Sequence, residues 1–512
     1  MEKRGVRVLT LLLSVSLLGL AALLKGPVQS RKPPVHTEIV TIEGGPPLSV
    51  KILSAFLGSF RTLLVDFLWL RAQKLQDRGE YFAAAELARW LTALQSKVDA
   101  GWSFQAWNLG VNIASVLPEE KRWPYVQAAL ELLWRDALAA NPGGLGLYYD
   151  ICWMWAFKIG GNLDSAAPRY RAEVRRRVRE ILGDPPYRFR EFVEAEELLD
   201  ELRVQPEVKE LKSLLGDLGL KSEEKNWIAL LDRLKKDFGE EGAGILRRIE
   251  EDPVLKLYDR ALRARAFLRA FGLTISDLEQ VYERYGDIGV DSPESFVVFW
   301  ASRGLRAVKP GAVRYDALSL WRMRFRGLRR LFLRGRAHLA EKIDRDYREV
   351  IELVAGDKYH GPQAELFERD RRQFLATAVT VLFLEGRRAE AEGLFKTLRD
   401  VDQTIPPDLT CDQYVFQALL TELVPEKASR PELEAVLRAL VGSALRASLR
   451  GDEEQAASYL AFARDLNEAL RATFDPETVP PLEAVIRRVR SSMSKSAGTG
   501  AKSALGTAQR RG

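Results

Sequence analysis

Few side chains in this chain combine reactive chemistry with useful spacing. The three histidines, His36, His338 and His360, share no metal-ligand spacing with one another or with Cys152 and Cys411. Asp357-x-x-His360 would put two ligands on one helical face, but Gly356 and Gly361 beside it predict a loop. The stretch GTGAKS at 498–503 echoes a phosphate loop. It lacks the glycine directly before the lysine, the preceding strand and the following helix. Residues 141–146, NPGGLG, read as a turn between helices rather than a dinucleotide fingerprint. Cys152 lies in the apolar run 151–157, which predicts a buried thiol rather than a disulfide or a metal ligand. These patterns point away from an enzyme and imply no metal or cofactor.

Recognition chemistry is better represented. Eight of the eleven tryptophans fall between Trp69 and Trp155, so one block of the chain carries most of the indole surface. Two readings stay open: the rings fill helix crossings, or some form a partly exposed aromatic wall that grips a peptide or a glycan. Within this block Gln105, Asn108 and Asn112 are spaced by three and four residues, on one face of a helix that also carries Trp102 and Trp107. Amides donate and accept, which suits an extended backbone, although hydrogen bonding between helices would use them equally well. Asp66, in the apolar run LLVDFLWL, predicts a buried ion pair with Arg61 or Arg71. A second patch, WRMRFRGLRRLFLRGR at 321–336, holds seven arginines and no acid. Trp321, Phe325, Leu328 and Phe332 recur at helical spacing, leaving Arg322, Arg324, Arg326, Arg329, Arg330, Arg334 and Arg336 for the other faces. Such a helix either presents a basic surface to anionic lipid or an acidic partner, or packs with a solvated back.

Helices must position these groups, because strand alternation almost disappears after Ser49. A chain of 512 residues exceeds one ordinary core, and 46% hydrophobic with 29% charged residues is the balance of a folded protein. The net charge of +6 is too thinly spread to mark a dedicated nucleic-acid binder. Residues 8–24 run without a charge behind Lys3, Arg4 and Arg7, and predict a membrane anchor or signal segment over 1–30. Three basic residues on each side leave its orientation undecided by charge. The default for a short basic N-terminus places the body on the extracytoplasmic side. Residues 31–48 read as an extended linker with β-branched character at 36–42. A Trp-rich helical block follows at 49–183, a charged helical insertion at 184–290, a second helical block at 291–480 and a basic disordered tail at 481–512.

The two helical blocks share a repeated spacing. Ala72, Gly79, Ala84 and Ala88 place a small residue in one helix, a glycine turn seven later, and small residues five and nine beyond it. The pattern returns around Gly386 with Ala391 and Phe395, and around Gly451 with Ala444, Ala456 and Leu460. Close antiparallel packing needs small side chains at the crossing and a residue that tolerates positive φ at the turn. Residues 102–114 with 123–140, and 293–308 with 315–334, are looser candidate pairs. Pro168 falls inside an expected helix.

These stretches resemble tetratricopeptide repeats, stacked helix pairs whose concave face binds peptides or protein segments. More narrowly, LLVDFLWLRAQKLQDRGEYF, WSFQAWNLGVNIA, LYYDICWMWAFKIGG and SPESFVVFWASRGL resemble a group of uncharacterised membrane-anchored bacterial proteins. The resemblance implies an all-α, antiparallel helix-pair solenoid with a charged insertion and an N-terminal transmembrane helix. It implies a non-catalytic scaffold that binds a protein or peptide partner in an envelope assembly. The alternatives are a glycan- or cell-wall-binding module built on the Trp-rich block, and a cytoplasmic basic nucleic-acid binder.

Overall fold

The computed structural model describes residues 60–220, 224–308, 315–357, 360–422, 428–474 and 477–493. The expected anchor at 8–24, the linker at 31–48 and the GTGAKS stretch lie outside the described residues. Every regular element among the described residues is helical, so the chain is all-α.

The described residues divide into two compact units, one ending at Gly327 and one beginning at Leu328. In the first, α1 (Phe60–Asp77) and α2 (Tyr81–Leu94) precede three long helices, α3 (99–116), α4 (119–140) and α5 (145–159). Then come α6 (Ala167–Leu182), α7 (Phe189–Glu197), α8 (Leu199–Leu202), α9 (Pro206–Asp217), α10 (Trp227–Asp237), α11 (Gly239–Glu251), α12 (Pro253–Phe271), α13 (Ile275–Tyr285) and α14 (Pro293–Arg306). Helix α15 (Tyr315–Leu333) contains the boundary. The second unit continues with α16 (Ala340–Ala355), α17 (Pro362–Leu384), α18 (Arg388–Val401), α19 (Cys411–Glu422), α20 (Arg430–Leu449), α21 (Glu453–Thr473) and α22 (482–493).

The glycine–alanine spacing marks real hairpins. Gly79, Gly386 and Gly451 have φ of 75°, 83° and 80°, the left-handed region that L side chains avoid. In each, the residue after the glycine donates to a carbonyl five back: Glu80 to Leu75, Arg387 to Leu382, and Asp452 to Ala447. This is the Schellman closure of a helix C-terminus. The flanking pairs α1–α2, α17–α18 and α20–α21 are the most extensively packed helix pairs among the described residues. Ala72, Ala84, Ala88, Ala391, Ala444 and Ala456 are all buried at these crossings. The same closure recurs at Gly219 and Gly335, which the spacing did not reveal.

Several expectations need correction. Pro168 occupies the first turn of α6, where its missing N–H costs nothing, so it starts a helix rather than interrupting one. Asp66 is exposed and needs no buried partner. The charged stretch 184–290 is built around α12, which packs on α6, α7 and α9–α11, and it shares one compact unit with the Trp-rich helices. Helix α14, expected with the C-terminal block, packs along α5 and belongs to the first unit. A Cβ at Gly327 would stand 2.8 Å from Val298 Cγ2, so α14 and α15 do approach closely, as the 293–308 with 315–334 pairing expects. The first part of the expected disordered tail is helical, because Val485 and Val489, four apart, both bury and Arg488 Nη1 reaches Glu434 at 2.6 Å.

Candidate functional site

The Trp-rich block is distinguished by a backbone feature that recurs in three consecutive long helices. Each contains a π-helical turn: Asn108–Ile113 in α3, Leu132–Ala137 in α4 and Met154–Ile159 in α5. In each, the closing N–H reaches back five residues, from Ala114 to Leu109, from Leu138 to Leu133 and from Gly160 to Trp155. A π turn inserts one residue and re-aims the side chains around it, and such turns concentrate at functional sites. Here they adjoin or contain Trp107, Trp134, Trp153 and Trp155. The three helices converge at Gly110, where a Cβ would lie 2.5 Å from Met154 Cε and 2.8 Å from Ala129 Cβ.

The predicted amide constellation is used inside the bundle. Gln105 and Asn108 are buried, and the structure turns them inward. Thr92 Oγ1 donates to Gln105 Oε1 at 3.4 Å, and Asn108 Nδ2 donates to the Tyr81 carbonyl at 2.7 Å, tying α3 to α2. Asn112 is half-buried and donates to Asn108 Oδ1 at 3.2 Å. Trp102 is half-buried, with Nε1 donating to the Ser96 carbonyl at 2.9 Å. Trp107 alone of the five faces solvent, at 42% exposure. Its ring lies 4.6 Å from that of Trp153, which in turn lies 5.4 Å from Phe157. Both are half-buried, and the Arg326 guanidinium stands 4.1 Å over Phe157. The result is an aromatic ladder along one face of α3 and α5.

The basic patch at 321–336 is less solvated than its composition predicts. Arg324 is buried with its guanidinium 3.7 Å over Trp321. Arg322, Arg326, Arg329 and Arg330 are half-buried, and of the five proposed surface arginines only Arg334 is exposed. In the second unit Arg329 lies 5.8 Å over Phe374 and donates to Tyr347 Oη at 3.5 Å. The physical reason is that α15 buries most of its circumference, including Leu318, Leu320, Met323, Leu328 and Leu331, so no broad solvated back remains.

Two polar clusters involve α5 and the turn that follows it. Asp164, in the turn between α5 and α6, accepts from Arg122 Nη1 at 2.7 Å, Lys158 Nζ at 2.6 Å, Tyr170 Oη at 2.9 Å and the Ala166 N–H at 2.9 Å. Burial alone would raise its pKa, but the hydrogen bonds from Lys158, Ala166 and Arg122 outweigh it and hold the carboxyl at about 2. Asp150 behaves oppositely. Burial, reinforced by Asp99, pushes it up to about 6 although Ser103 Oγ donates to it. Cys152 is fully buried, its Sγ 3.7 Å from the Val297 carbonyl, and burial raises its thiol far above the reactive range.

His360 Nδ1 and Asp357 Oδ1 are 2.7 Å apart in the turn after α16. Among the described residues no group of three or more metal-ligating side chains converges. Sequence reasoning missed the π turns altogether, because no single residue type marks them. It also missed Asp150, Lys158 and Asp164, though Asp150 and Lys158 stand as charges inside the run LYYDICWMWAFKI and that anomaly was readable. No family model, no curated protein and no solved structure matches this chain.

Proposed function

We propose that the chain is a membrane-tethered, non-catalytic scaffold whose stacked helix pairs form a tetratricopeptide-like solenoid and bind a protein or peptide partner. The aromatic ladder carries this reading: Trp107 is 42% exposed, yet its ring packs at a 48° tilt against Trp153, beside the close helix crossing at Gly110. Rigid, half-exposed indoles supply large contact area at little entropic cost, which is the character of binding hot spots. Phe67, Leu70 and Phe82 leave further exposed apolar surface on α1 and α2. The partner that fits is a segment presenting apolar or aromatic side chains. The charge-free run at 8–24 supplies the tether, and the default for its short basic flank sets the body on the extracytoplasmic side of an envelope.

The test is site-specific photo-crosslinking of the full chain in membranes. A photoreactive residue at position 107 is expected to capture one reproducible protein band, absent when the probe replaces exposed Arg175 on α6. Position 107 capturing nothing beyond that control would sink the reading. The same ladder also suits stacking against sugar rings, the alternative of a glycan-binding module. Titration of tryptophan fluorescence with cell-wall fragments separates the two, since a protein-binding ladder leaves the spectrum unmoved.

A further inference from the structure

A second aromatic feature lies away from the ladder. Helices α4, α6, α10 and α12 enclose a cleft of about 430 Å³, within the size range of small-molecule sites. Its floor is buried and apolar, with Leu130, Val174 and Phe271. Two half-buried indoles, Trp123 and Trp134, border it. Both are fixed from behind. Trp134 stacks on Trp300 at 6.1 Å and 15°, and rests on the backbone of Gly272, where a Cβ would stand 2.3 Å from its Cγ. Trp123 packs on Tyr170 at 5.6 Å. A binding surface held this way loses little freedom when a flat ring lands on it.

The polar groups of the cleft are unequally satisfied. Trp155 borders it at 1% exposure, and its indole Nε1 has no hydrogen-bond partner among the described residues. A buried donor left unmatched is costly unless a ligand supplies an acceptor. On the rim, Arg176 is engaged by Glu173 and Glu180, and Arg177 reaches Glu180 at 3.4 Å. Arg269 differs. It donates to the main-chain oxygen of Glu224 at 3.2 Å, and no carboxylate of the described residues stands within ion-pair distance of it. Partial desolvation and then the neighbouring charges of Arg265 and Arg177 lower its pKa, although Glu224 opposes them. The rim therefore holds a guanidinium short of counter-charge beside a rigid aromatic wall.

We infer that this cleft binds a planar aromatic anion, with its ring against Trp134 and its phosphate, sulfonate or carboxylate on the guanidinium of Arg269. Charge-assisted hydrogen bonds from a guanidinium fork favour such a group. The test titrates the full chain calorimetrically with 1-naphthyl phosphate, 1-naphthol and inorganic phosphate. The naphthyl phosphate is expected to saturate one site and to bind about tenfold or more tighter than naphthol, the margin of one charge-assisted contact. Arg269→Gln, at an exposed position that does not threaten folding, is expected to remove that margin and leave naphthol binding unchanged. Ala270→Trp, which fills the cleft, is expected to abolish both. Failure to saturate, equal binding of naphthyl phosphate and naphthol, or equal binding of inorganic phosphate and naphthyl phosphate overturns the inference. So does indifference of the naphthyl phosphate to both substitutions.

Discussion

Asp164 joins three elements through one carboxylate. Arg122 comes from α4, Lys158 from the π turn of α5, and Tyr170 from α6, while both side chains of the Lys158–Asp164 pair are at most 5% exposed. Removing the charge from one side of such a pair leaves the other buried and uncompensated, which costs about 3–5 kcal/mol. Asp164→Asn is therefore expected to lower the unfolding free energy by about 3 kcal/mol at neutral pH, measured by denaturant titration. Because the folded carboxyl titrates near 2, this contribution is full above the unfolded value of about 3.9 and fades as pH falls toward 2. A wild-type/variant difference that persisted unchanged at pH 2 would contradict the account. Asp150 has the reverse sign. Its folded pKa is about 6, so the folded state holds the proton more tightly and loses stability as pH rises from about 4 to 6. Asp150→Asn keeps an acceptor for Ser103 and should stabilise the protein by about 1–2 kcal/mol at pH 7.5 and by nearly nothing at pH 4.

At the scale of elements, the hairpins and the π turns were unequally readable. The glycines were legible because a single residue type satisfies a single backbone demand, and the alanines because a close crossing excludes larger side chains. Their energetic weights differ. A Cβ at Gly79 or Gly451 meets nothing within 4 Å, so alanine there bears only the left-handed backbone strain, about 1 kcal/mol. At Gly386 the same Cβ would stand 3.2 Å from Ser443 Cβ and Oγ. Ser443 is engaged at this turn, donating to the Leu384 carbonyl at 2.7 Å, while Arg446 donates to the Glu385 carbonyl at 3.3 Å. Gly386→Ala should thus cost clearly more than Gly79→Ala or Gly451→Ala in equilibrium unfolding, and equal losses would refute the difference in surroundings. The π turns have no such signature, since no single residue type marks a one-residue insertion in a helix. In α3 Gln105 and Asn108 are buried and Trp107 is exposed.

For the whole molecule, the organisation follows from which helices found a partner. The charged segment 184–290 looked separable because its helices are short and amphipathic, but their apolar faces all converge on α12. The proposed tether makes a prediction at this scale. Deleting residues 1–30 is expected to move the chain from a fraction that resists alkaline extraction of membranes into the soluble fraction. Retention of residues 31–512 on extracted membranes would remove the single-anchor reading. The proposed aromatic contacts predict in addition that Trp107→Ala abolishes co-purification of the partner while changing stability by less than about 1 kcal/mol, because that ring is half exposed.

Local rules carried the all-helical class, the three glycine hairpins, the buried thiol at Cys152 and the turn at 141–144, because propensity, φ preference and side-chain size act within a few residues. The packing of α14 on α5, the convergence of Trp123, Trp134 and Trp155 around one cleft, and the charge network at Asp164 were decided only in three dimensions. Each joins residues whose neighbours in sequence say nothing of the neighbour in space. The reactive and recognition side chains follow the same division: their types are read from the sequence, but burial decides which face solvent and which hold the helices together.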